Sequence, residues 1–209
     1  MNHRLFLAVL AFSLTALTIT SFAQLQETTF NLTAERKVLN CLRGNDGYSP
    51  AAQVTIQRGN LNDTLILHAQ HLKPNTGFDV FTVQNSNLLS DGTANLKFKN
   101  FGLAWYQSDL QTDSQGRAAV TIKTILLDQI FGFDPVVGLL PTNTFHLGFW
   151  FNNPEDAVAC GFDPTKPTPF NGEHKAGPAA MISLPDPTTD LGPLCTNPEQ
   201  VETGFVCKP

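Results

Sequence analysis

Hydrophobic and polar residues alternate with a period of two along most of the chain from Thr28 onward. The alternation is clear in AAQVTIQ (51–57), where Ala52, Val54 and Ile56 share one face and polar residues occupy the other. A period of two places apolar side chains on one side of a β-strand, whereas a helix repeats every 3.6 residues. The pattern therefore predicts a chain built from β-strands.

Six further segments show this alternation or the β-branched and aromatic content that is typical of strands. They are residues 64–72, 78–84, 101–112, 117–125, 144–151 and 179–184. Turn residues after 51–57 predict a hairpin with the next strand, and 78–84 is expected to continue that hairpin. A DSQG turn, ending in a glycine suited to a positive φ, joins the fourth strand to the fifth.

The chain offers few signals for helices. Asn153 is a good N-cap, Pro154 suits the first helical position and Gly161 can end the segment, which predicts one helix of about two turns. The polar stretch 85–100 is typical of a surface loop or a small excursion hairpin. Seven or so strands with one short helix predict an all-β fold, an antiparallel β-sandwich of immunoglobulin-like or jelly-roll type. A closed antiparallel β-barrel is the alternative.

The first 23 residues have the pattern of a secretory signal peptide. An early arginine is followed by an apolar run and by the small-x-small cleavage signal Ser21-Phe22-Ala23. The run carries polar residues and lacks a basic stop-transfer flank, so no stable membrane insertion is expected after cleavage. The predicted organisation is a signal peptide at 1–23, a β-sandwich domain at 24–185 and a proline-rich C-terminal arm at 186–209.

The charge of the chain narrows the range of partners. Cleavage would leave 12 of the 13 basic residues and all 18 acidic ones, a formal charge of 12 minus 18, or −6. A negative chain without basic runs disfavours nucleic acid and anionic membranes as partners. The expected partner is an extracellular ligand, whose identity the sequence does not give.

Four cysteines follow the predicted cleavage site, which in an exported chain indicates two disulfides. Three pairings are open. The favoured one joins Cys195 to Cys207 across the C-terminal arm and Cys41 to Cys160 across most of the domain. The sequence contains no close CxxC pair that would indicate a cysteine-based metal site.

Three blocks of the sequence are distinctive, namely FGLAWYQSDLQTDSQG, TFHLGFWFNNPEDA and PFNGEHKAGPAAM. They resemble segments shared by a group of uncharacterised exported bacterial proteins with no assigned activity, and they cover about a fifth of the chain. The resemblance implies secretion from a bacterium and implies nothing about chemistry. It also makes the two N-glycosylation sequons, at Asn31 and Asn62, chance matches.

Histidines supply the candidate metal ligands, because imidazole is a ligand that zinc and copper share. His146, Glu173 and His174 form the candidate set, with His68 or His71 as a further ligand. No cofactor is identified beyond a divalent metal of this kind. His68 and His71 are three residues apart, which places them on opposite faces of a strand.

The segment NGEH (171–174) has two interpretations. A carboxylate beside an imidazole can orient the ring and raise its pKa for acid–base chemistry. However, Asn171-Gly172 is a strong type I′ turn signal, and adjacent residues of a strand point apart. The sequence therefore favours a hairpin turn at this position.

Three aromatic residues, Trp105, Tyr106 and Trp150, are the candidates for a ligand-binding surface. Aromatic rings on a sheet face stack on sugars and other flat ligands. Trp150 lies off the apolar face of its strand. It is therefore expected either on the opposite surface or in a second core layer.

The sequence contains no nucleophile elbow, zinc-protease motif, phosphate-binding loop or dinucleotide fingerprint, and no catalytic residue is assigned. It favours a secreted, non-catalytic module that binds a glycan, matrix or protein ligand. The second hypothesis is a metal-binding protein or a metal-dependent exported enzyme. The third is a structural envelope protein.

Overall fold

The computed structural model describes residues 27–59, 62–124, 144–165, 177–195, 199–201 and 204–207. Most of this part consists of eight long strands, β1 (Glu27–Thr33), β2 (Ala51–Gln57), β3 (Asp63–Gln70), β4 (Gly77–Val83), β5 (Ala104–Gln111), β6 (Ala118–Thr124), β7 (Thr144–Phe151) and β8 (Ala179–Ser183). Three shorter strands follow, β9 (Leu194–Cys195), β10 (Glu199–Val201) and β11 (Gly204–Val206). The helical segments are η1 (Arg36–Val38), α1 (Leu39–Leu42) and η2 (Pro154–Cys160), of which η1 and η2 are 3₁₀ helices. The predicted signal segment, 1–23, lies outside the described residues.

The eight long strands form one antiparallel sheet in the order β5-β4-β7-β8-β1-β2-β3-β6. The two strands at the ends of this order come back together, with Cα atoms of β5 and β6 within 8 Å of each other. Among the described strands, no ladder joins this pair. The predicted all-β antiparallel fold is confirmed, in a nearly closed form that is close to the barrel alternative.

The apolar residues of the strands face the inside of the nearly closed sheet. In β2, Ala52, Val54 and Ile56 are buried, and the residues between them are exposed or half-buried. The other side of the core is aromatic, and the rings of Phe78 and Phe149 pack edge-on with centroids 5.0 Å apart. Edge-on ring pairs of this kind stabilise a core beyond the area that they bury.

Strand β7 is buried on both faces, so that all eight of its residues are buried. The loop 84–103 covers its outer face and packs Leu88 and Phe101 against Trp150. Gly148 leaves room for the indole, since a Cβ there would lie only 3.1 Å from Cζ3 of Trp150. The loop 84–103, which contains the polar stretch 85–100, therefore also covers a second, smaller hydrophobic core.

The short helices pack against the main core, and a disulfide joins them. Val38, Leu42 and Ala157, one from each helical segment, are at most 1% exposed and belong to the main core. The disulfide Cys41–Cys160 ties α1 to η2. These contacts fix the segment after β1 to the segment after β7.

The predicted helix is confirmed as η2. The side chain of Asn153 accepts a hydrogen bond from the backbone N–H of Glu155, which satisfies one of the free donors at the helix start. Pro154 occupies the first position, and Gly161 ends the helix in the left-handed conformation, with φ of 79°. The local signals were sufficient here because each acts within one turn of the chain.

One of the predicted strand pairings is wrong. The hairpin of β2 and β3 forms as expected, but β3 then pairs with β6 and not with β4. Strand β5 pairs with β4, and among the described strands it forms no ladder with β6, to which the DSQG turn connects it. The DSQG turn, in which Gly116 has a φ of 73°, therefore leads from one end of the sheet order to the other.

The proline-rich C-terminal arm contains regular structure. Strand β9 pairs with the start of β7, and β10 and β11 form a small hairpin. The Cys195–Cys207 disulfide links β9 to the residue after β11. Both favoured disulfide pairings are thereby confirmed.

The two disulfides are expected to stabilise the fold unequally. They span sequence separations of 119 and 12 residues, for which loop-closure entropy predicts about 5 and about 3 kcal/mol of stability. Denaturant unfolding of Cys41→Ala/Cys160→Ala and of Cys195→Ala/Cys207→Ala measures the two losses. An equal or larger loss in the second variant would contradict the entropic account.

Candidate functional site

The outer face of β1, β2, β3 and β6 presents a row of polar side chains. The ladder register places Asn31 opposite Gln53, Gln53 opposite His68 and His68 opposite Ala119. These residues alternate with the buried ones, so their side chains point outward. The amide Nε2 of Gln53 donates to Oδ1 of Asn31 over 3.4 Å. The result is a continuous row of amide and imidazole groups across three strands.

This row lies in an open groove of about 720 Å³. Two charged residues border the groove, and Nε of Arg117 lies 3.4 Å from Oδ2 of Asp113. The backbone N–H groups of Arg117 and Gln115 hold the pKa of the Asp113 carboxyl below its usual range. These two opposite charges compensate each other at the border of the groove.

A smaller cavity of about 490 Å³ adjoins the groove and shares Gln70 and Arg117 with it. Its wall includes His71, which has a φ of 63° directly after β3. Nδ1 of His71 lies 2.6 Å from Oδ2 of Asp46, and its ring centroid is 4.9 Å from that of Tyr48. The left-handed backbone is uncommon for a histidine, and it places the ring against this loop.

The Asp46 carboxylate determines which ring nitrogen of His71 is available. The hydrogen bond from His71 and the backbone N–H of Tyr48 hold the pKa of Asp46 below its usual range. An ionised carboxylate only accepts hydrogen bonds, so Nδ1 of His71 carries a proton. In the neutral ring, Nε2 then has the lone pair and acts as a hydrogen-bond acceptor.

The structure separates the histidines of the predicted metal set. His146 lies on β7 and His68 on β3, with β8, β1 and β2 between these strands in the sheet order. His71 is hydrogen-bonded to Asp46 in the loop after α1. Neither His68 nor His71 therefore lies beside His146 as a second metal ligand. Glu173 and His174, with the rest of NGEH, lie outside the described residues. Within the described ranges, no three His, Cys, Asp or Glu side chains are grouped for metal binding.

His146 is buried in a defined protonation state. It is 3% exposed and lies in the wall of a cavity of about 500 Å³ that Lys97, Lys99 and Asp190 also line. Its Nδ1 lies 3.0 Å from the carbonyl oxygen of Ser183, which only accepts, so Nδ1 carries the proton. Burial lowers the pKa of His146 to about 4. The ring is therefore neutral near pH 7, with the lone pair on Nε2.

The three aromatic candidates lie in different environments. Trp105 is half-buried against the main core, with its ring centroid 6.0 Å from that of Phe145. Trp150 is 0% exposed and fills the second core. Of its two expected positions, the second core layer is therefore the one observed. Tyr106 is 52% exposed. These three side chains do not form one exposed aromatic surface.

The exposed Tyr106 is held in its neutral form. Its hydroxyl donates to Oδ1 of Asp109 over 2.8 Å. Partial burial and this hydrogen bond raise the pKa of Tyr106 to about 12. The phenol therefore contributes a neutral, oriented hydroxyl and does not act as a proton acceptor near pH 7.

Sequence reasoning missed most residues of the groove. Gln53 and His68 were recognisable as outward-facing from the alternation of their strands. Gln70 follows His68 on the same face of β3. Asn31 and Arg117 belong to the site only because register brings β1 and the residue before β6 beside β3. Strand partners are not encoded in a local pattern, so no signal in the sequence joins these residues.

Comparison with protein-family models, with curated proteins and with solved structures finds no match for this chain. In the described part of the chain, no helix is long and apolar enough to cross a membrane. Function is therefore inferred from the geometry of the groove and of the buried histidine.

His146 is expected to make the fold acid-sensitive. Its pKa falls from 6.5 to about 4 on folding, so between these values the unfolded chain binds a proton that the folded protein does not. Stability is unaffected well above pH 6.5 and falls as the pH decreases below it, by about 2 to 3 kcal/mol at pH 4.5. Urea unfolding at pH 7.5 and pH 4.5 measures the loss.

The variant His146→Asn keeps a donor for Ser183 and removes the titrating ring. It is expected to lose about 2 to 3 kcal/mol less than the unchanged protein between the two pH values. His68→Asn, at an exposed histidine, is the matched control and is expected to keep the full acid loss. An acid loss in His146→Asn as large as that of the control would rule out His146 as the source.

Proposed function

We propose that this protein is an exported binding module that holds a neutral, polyhydroxylated ligand, a glycan, in the groove along Asn31, Gln53 and His68. The observation that carries the proposal is the register that aligns these three side chains across β1, β2 and β3. Neighbouring strands are about 4.8 Å apart, so one extended ligand contacts all three groups. The groove of about 720 Å³ accommodates such a ligand.

The chemistry of the row supports a hydroxyl-rich ligand. An amide side chain both donates and accepts hydrogen bonds, and a neutral imidazole donates from one nitrogen and accepts at the other. Hydroxyl groups also donate and accept, so they match this row better than carboxylates or phosphates, which only accept when ionised. The chain's formal charge of −5 also disfavours an anionic ligand.

Export is supported by two independent features. The two disulfides, Cys41–Cys160 and Cys195–Cys207, are typical of proteins from oxidising compartments. The first 23 residues have the pattern of a signal peptide. The proposed ligand is therefore one outside the cell or in the cell envelope.

A neutral glycan array followed by calorimetry on the best ligand tests the proposal. Gln53→Ala and His68→Ala are each expected to weaken binding at least about fivefold, because one hydrogen bond contributes about 1 kcal/mol. Gln57→Ala is the matched control, since Gln57 lies on the same face of β2 but outside the groove and bonds to Glu27. It is expected to leave affinity unchanged.

Two outcomes would overturn the glycan proposal. If no neutral glycan binds in a saturable way, the structural envelope hypothesis is favoured. If Gln57→Ala weakens binding as much as Gln53→Ala, the ligand lies elsewhere on the sheet.

Metal binding by His146, with Glu173 and His174, is the second candidate function. It is favoured by one observation, the hydrogen bond from Nδ1 of His146 to the Ser183 carbonyl oxygen. Histidines that ligate metals commonly donate their other ring N–H to a carbonyl or carboxylate oxygen, which fixes the ring. The remaining lone pair on Nε2 is the form that binds zinc or copper.

Metal analysis by mass spectrometry on protein purified without chelator or His tag tests the second candidate. Stoichiometric zinc or copper is expected in the unchanged protein and in His71→Ala, and is expected to be lost in both His146→Ala and His174→Ala. Full metal content in either of the last two variants would exclude this ligand set.

A further inference from the structure

A separate cavity lies beneath the loop 84–103, on the side of the sheet formed by β7 and β8. Its volume is about 410 Å³, which is within the range of small-molecule pockets. Phe98, Phe101, Trp150 and Phe162 form its apolar wall. It shares no residue with the glycan groove.

The apolar wall is built from rings that hold one another in place. Phe98 packs edge-on against Phe101 with centroids 4.7 Å apart, and Phe101 packs against Trp150 at 5.1 Å. Leu96 borders the same cavity and is 96% exposed.

The polar side of the cavity includes Asn87, Asn95, Glu35 and Lys37. Nδ2 of Asn87 donates to Oε2 of Glu35 over 3.1 Å, and Nζ of Lys37 lies 2.7 Å from the same oxygen. Because a carboxylate only accepts hydrogen bonds, the amide of Asn87 must direct its nitrogen toward Glu35. Its Oδ1 is thereby fixed as the remaining polar atom.

Oδ1 of Asn87 is buried and accepts no hydrogen bond from any residue that the structure describes. A buried acceptor without a donor destabilises the fold, and a bound N–H or O–H group removes that cost. Glu35 and Lys37 compensate each other's charge, so the ligand needs no charge of its own.

We propose that this cavity binds a flat, uncharged aromatic or heteroaromatic molecule that carries a hydrogen-bond donor. The ring system packs against Phe98 and Phe101, and a small movement of the side chains that cover Oδ1 of Asn87 brings the donor within bonding distance of this oxygen. The cavity is separate from the glycan groove, so an experiment can disprove either proposal without affecting the other.

The probes 2-naphthol and 2-methoxynaphthalene test this proposal because they share a ring system and only 2-naphthol has a donor. Calorimetry on the purified protein is expected to give a dissociation constant at least about tenfold lower for 2-naphthol, since one buried acceptor becomes satisfied. The NMR signal of the Trp150 indole N–H, assigned with the Trp105→Phe variant, is expected to shift on binding. Equal affinities, or no binding of either probe, would overturn the proposal.

Variants locate the site. Asn87→Ala is expected to bind both probes equally, whereas Asn85→Ala keeps the preference. Asn85 is the matched control because it lies in the same loop but donates to the carbonyl oxygen of Asn100. Ala94→Phe, at an exposed position that lines the cavity, is expected to weaken both probes at least about tenfold by filling it.

A preference for 2-naphthol that survives in Asn87→Ala would overturn the assignment of the acceptor. Affinities unchanged by Ala94→Phe would place the bound probe outside this cavity. The first comparison uses two probes on the unchanged protein, so the proposal remains testable even where a variant does not fold.

Discussion

Side chains of a β-strand point alternately to the two faces of its sheet, and in this protein one face is turned inward along the whole strand order from β5 to β6. The side chain of every second strand residue therefore points into the main core. The residues between them have two possible environments, solvent or a second layer of chain. Whether a part of the outer surface is polar or apolar depends on whether solvent or a second layer of chain covers it.

The two parts of the outer surface differ for this reason. On β1, β2, β3 and β6 the outward residues are mostly polar, and they form the row that lines the proposed glycan groove. On β7 and β8 the outward residues include Trp150 and Ile182, which the loop 84–103 covers. Burial on that side also lowers the pKa of His146 and encloses the aromatic cavity.

The predictions from sequence succeeded where the physical signal was local. The bounds of β2 and β7 agree with their unbroken patterns, and the capping residues of η2 act within one turn. The pairing of β3 with β6 joins segments distant along the chain, so alternation located both strands without showing that they are neighbours. For the same reason His68 was recognisable as an outward residue, whereas Asn31 and Arg117 were not recognisable as its neighbours in the groove.

The near closure of the sheet has a consequence for self-association. An edge strand carries a row of unsatisfied backbone N–H and C=O groups, which can template pairing with another molecule. Here the two edges, β5 and β6, lie beside each other with Cα atoms within 8 Å. Each edge therefore shields the other from incoming strands. This arrangement protects the folded chain from edge-to-edge aggregation without requiring a completed ring of hydrogen bonds.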